Sequence, residues 1–162
     1  MTPSDTSDTT DDAAQLVRRW FDDLFNRGNL SVADEILADD VDYDGPQSLS
    51  PSDVSGPEDV KSYVESYQTA FPDLWYTVED VTTTPGEVRV RWSAMGTHEN
   101  DLFGVEPTGE GFTVDGIDVF TVEDGEITAV YAHWDTLKMV QELGVVSPAG
   151  APMGGRPAQN TR

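Results

Sequence analysis

The residues of this 162-residue chain whose types could do chemistry are few: two histidines, His98 and His133, and a handful of acids set among apolar neighbours. With no cysteine, thiolate nucleophiles, disulfides and thiolate metal sites are excluded, and two histidines leave little for an imidazole metal centre. What remains is proton transfer. A carboxyl at the edge of an apolar cavity is costly to ionise, which raises its proton affinity towards the range that a general acid or base needs.

Alternation selects which carboxyls qualify. Across 126–135, Ile127, Ala129, Tyr131, His133 and Asp135 fall on one side of a period-two segment, opposite Thr128, Val130, Ala132 and Trp134. An apolar face that gathers Tyr131, His133 and Asp135 towards its end reads as a pocket wall, and Asp135 becomes the first candidate acid or base. Asp135 also precedes a helical segment starting at Thr136, where Asp commonly caps, and both readings stay open. Across 87–98, Val88, Val90, Trp92, Ala94, Gly96 and His98 share a face, so His98 is in phase with the apolar side. Either histidine could orient the acid or share its proton, or be an ordinary hydrogen-bonded histidine. Asp118, in phase with Phe112, Val114 and Phe120, is a second inward acid unless a bulge at Gly116 shifts the phase. Trp20, Tyr43, Tyr67 and Trp92, residue types more often found in the core, are expected at most to line the pocket as substrate contacts, with Tyr131 and Asp118.

The elements that must hold these residues follow from periodicity. Leu16, Val17, Trp20, Phe21, Leu24 and Phe25 recur at helical spacing up to a stop at Gly28. A short helix is expected over 31–38 and a strand over 41–44. Pro57 opens a third helix that presents Val60, Tyr63, Val64, Tyr67 and Phe71 before Pro72 ends it. The period then changes to two, with strands over 74–83, 87–98, 111–122 and 126–135, turns at Pro85-Gly86 and Asp124-Gly125, and a helical turn over 136–143. The long connection 99–110 reads as a mobile rim or lid. Helices first and a strand meander afterwards give an α+β order, a curved antiparallel sheet with helices on one face enclosing a pocket. The folded unit is expected over 12–146, flanked by a disordered acidic tail, 1–11, and a flexible Pro/Gly-rich tail, 147–162.

Charge narrows the partners. Thirty-one acids, 20 Asp and 11 Glu, face 9 Lys plus Arg, for a formal net charge of −22. Such a surface repels phosphate backbones and anionic lipids, so nucleic-acid and membrane binding are disfavoured. Fifteen aromatic residues, 4 Trp, 5 Tyr and 6 Phe, argue against a disordered acidic chain. Asp-rich, Lys-poor usage is instead that of halophile proteins, whose self-repulsion salt screens. No apolar stretch reaches the roughly 20 residues of a membrane helix, and the first residues do not read as a signal peptide. A cytoplasmic location is expected.

The ordered series Phe25-Asn-Arg-Gly28, Ala38-Asp-Asp-Val41, Ala70-Phe-Pro-Asp73, Gly96-Thr-His98, Phe103-Gly-Val, Pro107-Thr-Gly109, Gly116-Ile-Asp-Val, Asp124-Gly-Glu-Ile127, Asp135-Thr-Leu and Gln141-Glu-Leu-Gly144 resembles the SnoaL-like polyketide cyclase (ester cyclase) family. The resemblance covers roughly residues 13 to 145. It implies the nuclear transport factor two-like fold, a cone-shaped α+β barrel that is usually a homodimer through the outer face of its sheet. It implies ring closure in a polyketide ester by intramolecular aldol condensation, without cofactor or metal. Asp135 matches the family's acid/base position and His98 a supporting histidine, whereas Tyr43 stands where relatives often place His. The substrate does not carry over. A small apolar carbonyl or ester compound is the expected ligand of a cyclase, isomerase or related lyase; the alternative is a non-catalytic binding domain of the same fold.

Overall fold

A computed structural model describes residues 12–45, 54–102 and 104–144. The expectations for both tails, and for Phe103, lie outside the described residues. Helix α1 is α-helical over 12–19 and widens into a π-helical turn at Trp20–Asn26. The wide turn stacks Trp20 and Phe21 over Leu24 and Phe25, and all four are buried. Its end is tied in two directions. Gln68 Nε2 donates to the carbonyls of Leu24 (3.2 Å) and Phe25 (2.9 Å), which a helix terminus leaves without intrahelical partners. Asn26 exchanges two hydrogen bonds with the Tyr76 backbone, at 2.8 and 2.7 Å.

Helix α2 (Val32–Ile36) ends two residues earlier than the periodicity predicts and passes directly into strand β1 (Leu37–Asp44), which starts four residues earlier than expected. After the two-residue strand β2 (Val54–Ser55), helix α3 runs Gly56–Ala70 with Pro57 in its first turn. Val60, Tyr63, Val64, Tyr67 and Ala70 form its buried face. The meander is β3 (Trp75–Thr84), β4 (Glu87–Thr97), β5 (Gly111–Glu123) and β6 (Glu126–Trp134), followed by helix α4 (Thr136–Glu142).

The six strands make one sheet in the order β2-β1-β6-β5-β4-β3. It is antiparallel except where β1 runs parallel to β6, which corrects the all-antiparallel expectation. The core lies between the helices and the inner sheet face, where Trp20 meets Phe120 edge-on and Tyr43 packs on Tyr63. Fully burying an aliphatic or Phe side chain there is worth roughly 1.5–3 kcal/mol. No helix among the described residues is long and apolar enough to cross a membrane.

Two registers decide which residues face the core. Along β4 and β5 the ladder is unbroken from Glu87↔Thr121 to Thr97↔Gly111, so Gly116 marks no bulge and Phe112, Val114, Asp118 and Phe120 all point inward. Between β5 and β6 the pairing jumps from Thr121↔Ala129 to Val122↔Ile127, leaving Thr128 as an extra residue in β6. Ile127 is therefore inward before this bulge and Val130, Ala132 and Trp134 inward after it. Tyr131, His133 and Asp135, expected inside in phase with Ile127, lie on the outer face and are exposed.

Candidate active site

Asp118 is the one acid among the described residues that the fold takes into its core. Its register partners are Val90 on β4 and Ala132 on β6, both buried, and the residue itself is 4% exposed. Among the described buried residues only His98 and Asp118 are polar or charged beyond the aromatic hydroxyls and indoles. Trp92 Nε1 donates to Asp118 Oδ1 at 3.0 Å. Burial, with no cation beside it, pushes the Asp118 carboxyl up from 3.8 to about 7, against the opposing effect of the Trp92 hydrogen bond, which favours the ionised form.

Aromatic rings surround this carboxyl. Trp92 packs 4.9 Å from Tyr76 and 6.1 Å from Trp134 between ring centroids. Trp20 stacks on Tyr43 at 6.0 Å. Tyr43 Oη donates to Tyr63 Oη at 2.9 Å, and the Tyr63 ring packs on Tyr67. Burial drives the Tyr43, Tyr67 and Tyr76 hydroxyls well above the ordinary phenol range, and for Tyr43 and Tyr76 the negative charge of Asp118 adds to it. They are neutral donors at any working pH.

Next to this layer is a cavity of about 10 Å³, room for roughly one water. Tyr67, Tyr76, Trp92, Trp134, Phe112 and Met139 are among its walls. Asp118 is not among its walls, whereas Trp92, which bonds to it, is. Helix α4 supplies Met139, and Lys138 and Glu142 fasten the helix to β5: Lys138 Nζ donates to the Thr113 carbonyl and pairs with Glu142 at 2.6 Å, while Glu142 Oε1 accepts from Thr113 N at 2.8 Å.

The other expected site residues are distributed differently. Trp20, Tyr43, Tyr67 and Trp92 belong to the aromatic shell. His98 is fully buried, its ring 5.4 Å from Phe71, but it is not among the cavity walls. Neither ring nitrogen completes a hydrogen bond with a described residue. Burial lowers its proton affinity, partly opposed by the Asn100 and Val105 carbonyls and by Asp101. The connection 99–110 above it is anchored, not free: Glu99 N and Asn100 N donate to the Ala70 carbonyl, Asn100 Nδ2 to Thr69, and His98 exchanges backbone bonds with Glu110 and Gly109.

Asp135 accepts from Lys138 N at 2.9 Å and caps α4. It shares an open surface groove with His133, Arg91, Asp115, Ile117 and Leu137. Tyr131 is 53% exposed. These three outward placements correct the expected pocket wall, and the bulge at Thr128 is the cause. Tyr76 and Trp134 were legible only as strand residues; the in-phase run Leu74, Tyr76, Val78 is the signal that could have found the first. No group of three His, Cys, Asp or Glu among the described residues is placed to hold a metal.

Comparison with known proteins accords with this architecture. A comparison with curated proteins found no match. A proposed SnoaL-like polyketide cyclase of Jannaschia sp. CCS1 superposes with a TM-score of 0.76 at 23% identity, over 83% of this chain and 92% of that one. IdmH of Streptomyces antibioticus, a proposed polyketide cyclase, gives 0.70 at 28% identity, over 82% and 98%. AclR of Streptomyces galilaeus, a proposed hydroxylase, gives 0.65 at 21%, over 85% and 96%. The model of the SnoaL-like polyketide cyclase family matches residues 15–143, and the chain belongs to that family.

Proposed function

We propose that the protein is a cyclase-type enzyme that moves protons without a cofactor, with Asp118 as the group that carries them. The observation behind this is a carboxyl buried among aromatic rings and brought close to neutrality, where it can both take and return a proton near pH 7. The substrate is a small neutral carbonyl or ester compound. Ionised Asp118 removes a proton from the carbon next to a carbonyl. The resulting enolate attacks a second carbonyl carbon, and the carboxyl returns its proton to the alkoxide oxygen. Trp92 holds one carboxyl oxygen, Oδ1, and so fixes how the carboxyl is presented. The phenols of Tyr43 and Tyr76 remain protonated beside the charge that forms.

Deuterium uptake from D₂O into aryl methyl ketones and β-keto methyl esters tests this. The wild type is expected to accelerate exchange, and Asp118→Asn to lose about 10²–10⁴-fold of that rate. Exchange retained by the variant would remove Asp118 from the role.

The second reading is a binding domain of the same fold. It draws on the small size of the cavity and on the absence of Asp118 from its walls. In that case no probe exchanges, and Asp118→Asn leaves binding of small aromatic ligands in place.

The partner in either reading is a second copy of the chain. Trp75, Met95, Ile117 and Tyr131, large apolar residues at least 42% exposed, all lie on the outer sheet face, with Leu137 at its edge on α4. Arg89 and Arg91 stand among them, with Asp80 beside Arg91 and Asp115 on the same face, so opposite charges are interspersed there in a chain of net charge −22.

A further inference from the structure

We infer that Gly116 is a positioning residue: the absence of a side chain there lets the Trp92 indole lie across β5 and place Nε1 on Asp118. This rests on the reading of Asp118 as the proton-carrying group. Gly116 is the direct register partner of Trp92, and Asp118 is two residues further along the same inward face. A Cβ built on Gly116 would come within 2.2, 2.6 and 2.7 Å of Cζ2, Cη2 and Cε2 of Trp92. Such contacts cannot be relieved by the swing of a flexible chain end, because all three atoms belong to one rigid ring. Backbone conformation offers no other reason for glycine, since Gly116 is not among the glycines with positive φ. It also lies mid-strand, where glycine costs stability. The occupied space and the hydrogen bond share one ring, so whatever displaces the ring also removes the donor.

Around the carboxyl, Trp92 and Val90 come from β4, Ala132 from β6, Tyr43 from β1 and Tyr76 from β3, with Tyr63 of α3 behind Tyr43. No Lys or Arg is buried among the described residues. The indole N–H is thus the protein donor that stabilises the charged form, and its loss leaves desolvation unopposed.

The test follows the ¹³C carboxyl shift of Asp118 against pH in the full chain for wild type, Trp92→Phe, Gly116→Ala and the double variant. Trp92→Phe keeps a ring and removes the N–H, and its midpoint is expected about one to two pH units above wild type. Gly116→Ala is expected to move the midpoint the same way. The double variant should titrate where Trp92→Phe does, because glycine acts only through the indole. A folded Gly116→Ala protein with the wild-type midpoint, or shifts that add in the double variant, overturns the proposal. Should Gly116→Ala alone fail to fold, the comparison of Trp92→Phe with the double variant still decides. Unequal midpoints there reject it, while equal midpoints with restored folding support it. A merely structural glycine would change the melting temperature and leave the titration in place. Deuterium exchange in the same variants separates the two ideas: moved midpoints in a protein whose wild type exchanges no probe sink the catalytic reading and leave the positioning intact.

Discussion

Trp92 bonds to the residue diagonal to it, not to the one opposite. Its ladder partner on β5 is Gly116, yet its indole N–H reaches Asp118 at 3.0 Å, two residues along the strand. The diagonal lets two neighbouring strands share one carboxyl, and it makes the properties of Asp118 depend on β4 as much as on β5.

Stability should fall as pH rises through the range in which Asp118 ionises. The folded carboxyl titrates near 7 and the unfolded one near 3.8, so between these values the native state holds more protons and gains less from deprotonation. The contribution is fully present below about pH 4 and is lost by about pH 7, on the order of 4 kcal/mol in all. Denaturant melts of Asp118→Asn and wild type should therefore diverge in favour of the variant as pH is raised from 4 to 8. Parallel curves would mean that the carboxyl is not buried in ionisable form.

His98 should act with the opposite sign. Burial lowers its folded pKa below 6.5, so its contribution is present above the unfolded value and is lost as pH falls through the folded one. Replacing it with Phe, which can keep the contact with Phe71, is expected to remove this acid-side loss. Hydrogen exchange of the anchored connection 99–110 measured at pH 5 and 7 is the readout: protection should drop at the lower pH in wild type and hold in the variant.

Asp135→Ala should cost about 1 kcal/mol, the usual worth of an N-cap, visible as a lower melting temperature. The ¹³C titration of Asp118 should not move. A large change in that titration would place Asp135 in contact with the inner site after all.

The outer sheet face makes its own prediction. Ile117→Asp with Tyr131→Asp puts two like charges on each copy's exposed apolar surface. Light scattering after size exclusion should show a dimer for wild type and a monomer for the double variant; a monomeric wild type would refute the pairing.

Melting in rising KCl tests the salt reading of the composition. With 31 acids against 9 bases, screening of self-repulsion should raise the melting temperature steadily into the molar range. A flat response would leave the acidity without that explanation.

How much of this was visible in the sequence depends on register. The helices and the meander could be read from period alone, because Val60, Tyr63, Val64 and Tyr67 or Val88, Val90 and Trp92 repeat without interruption. Asp118 was legible for the same reason: nothing breaks the β4–β5 ladder between Phe112 and Phe120. Asp135 and His133 were misplaced because a bulge costs one residue and leaves no mark in composition, since Thr128 is as good a strand residue as any. The π-helical widening of α1 and the strand nature of Leu37 to Asp40 also escaped, being fixed by Gln68 and Asn26 in one case and by pairing with β6 in the other. The absence of Asp118 from the cavity walls is a matter of side-chain shape that spacing does not express.

The bulge at Thr128 also separates two chemical inventories carried by one strand. In the frame the protein uses, β6 offers Val130, Ala132 and Trp134 to the interior; one step out of frame it would offer Tyr131, His133 and Asp135. Straightening the bulge with every residue kept would slip the rest of β6 by one position and turn Tyr131 and His133 inward in place of Ala132 and Trp134, all at once and without any substitution. Loss of the extra residue, by contrast, would regularise the strand and keep Val130, Ala132 and Trp134 inside, so the interior chemistry of β6 is set by whether the bulge is held and not by composition.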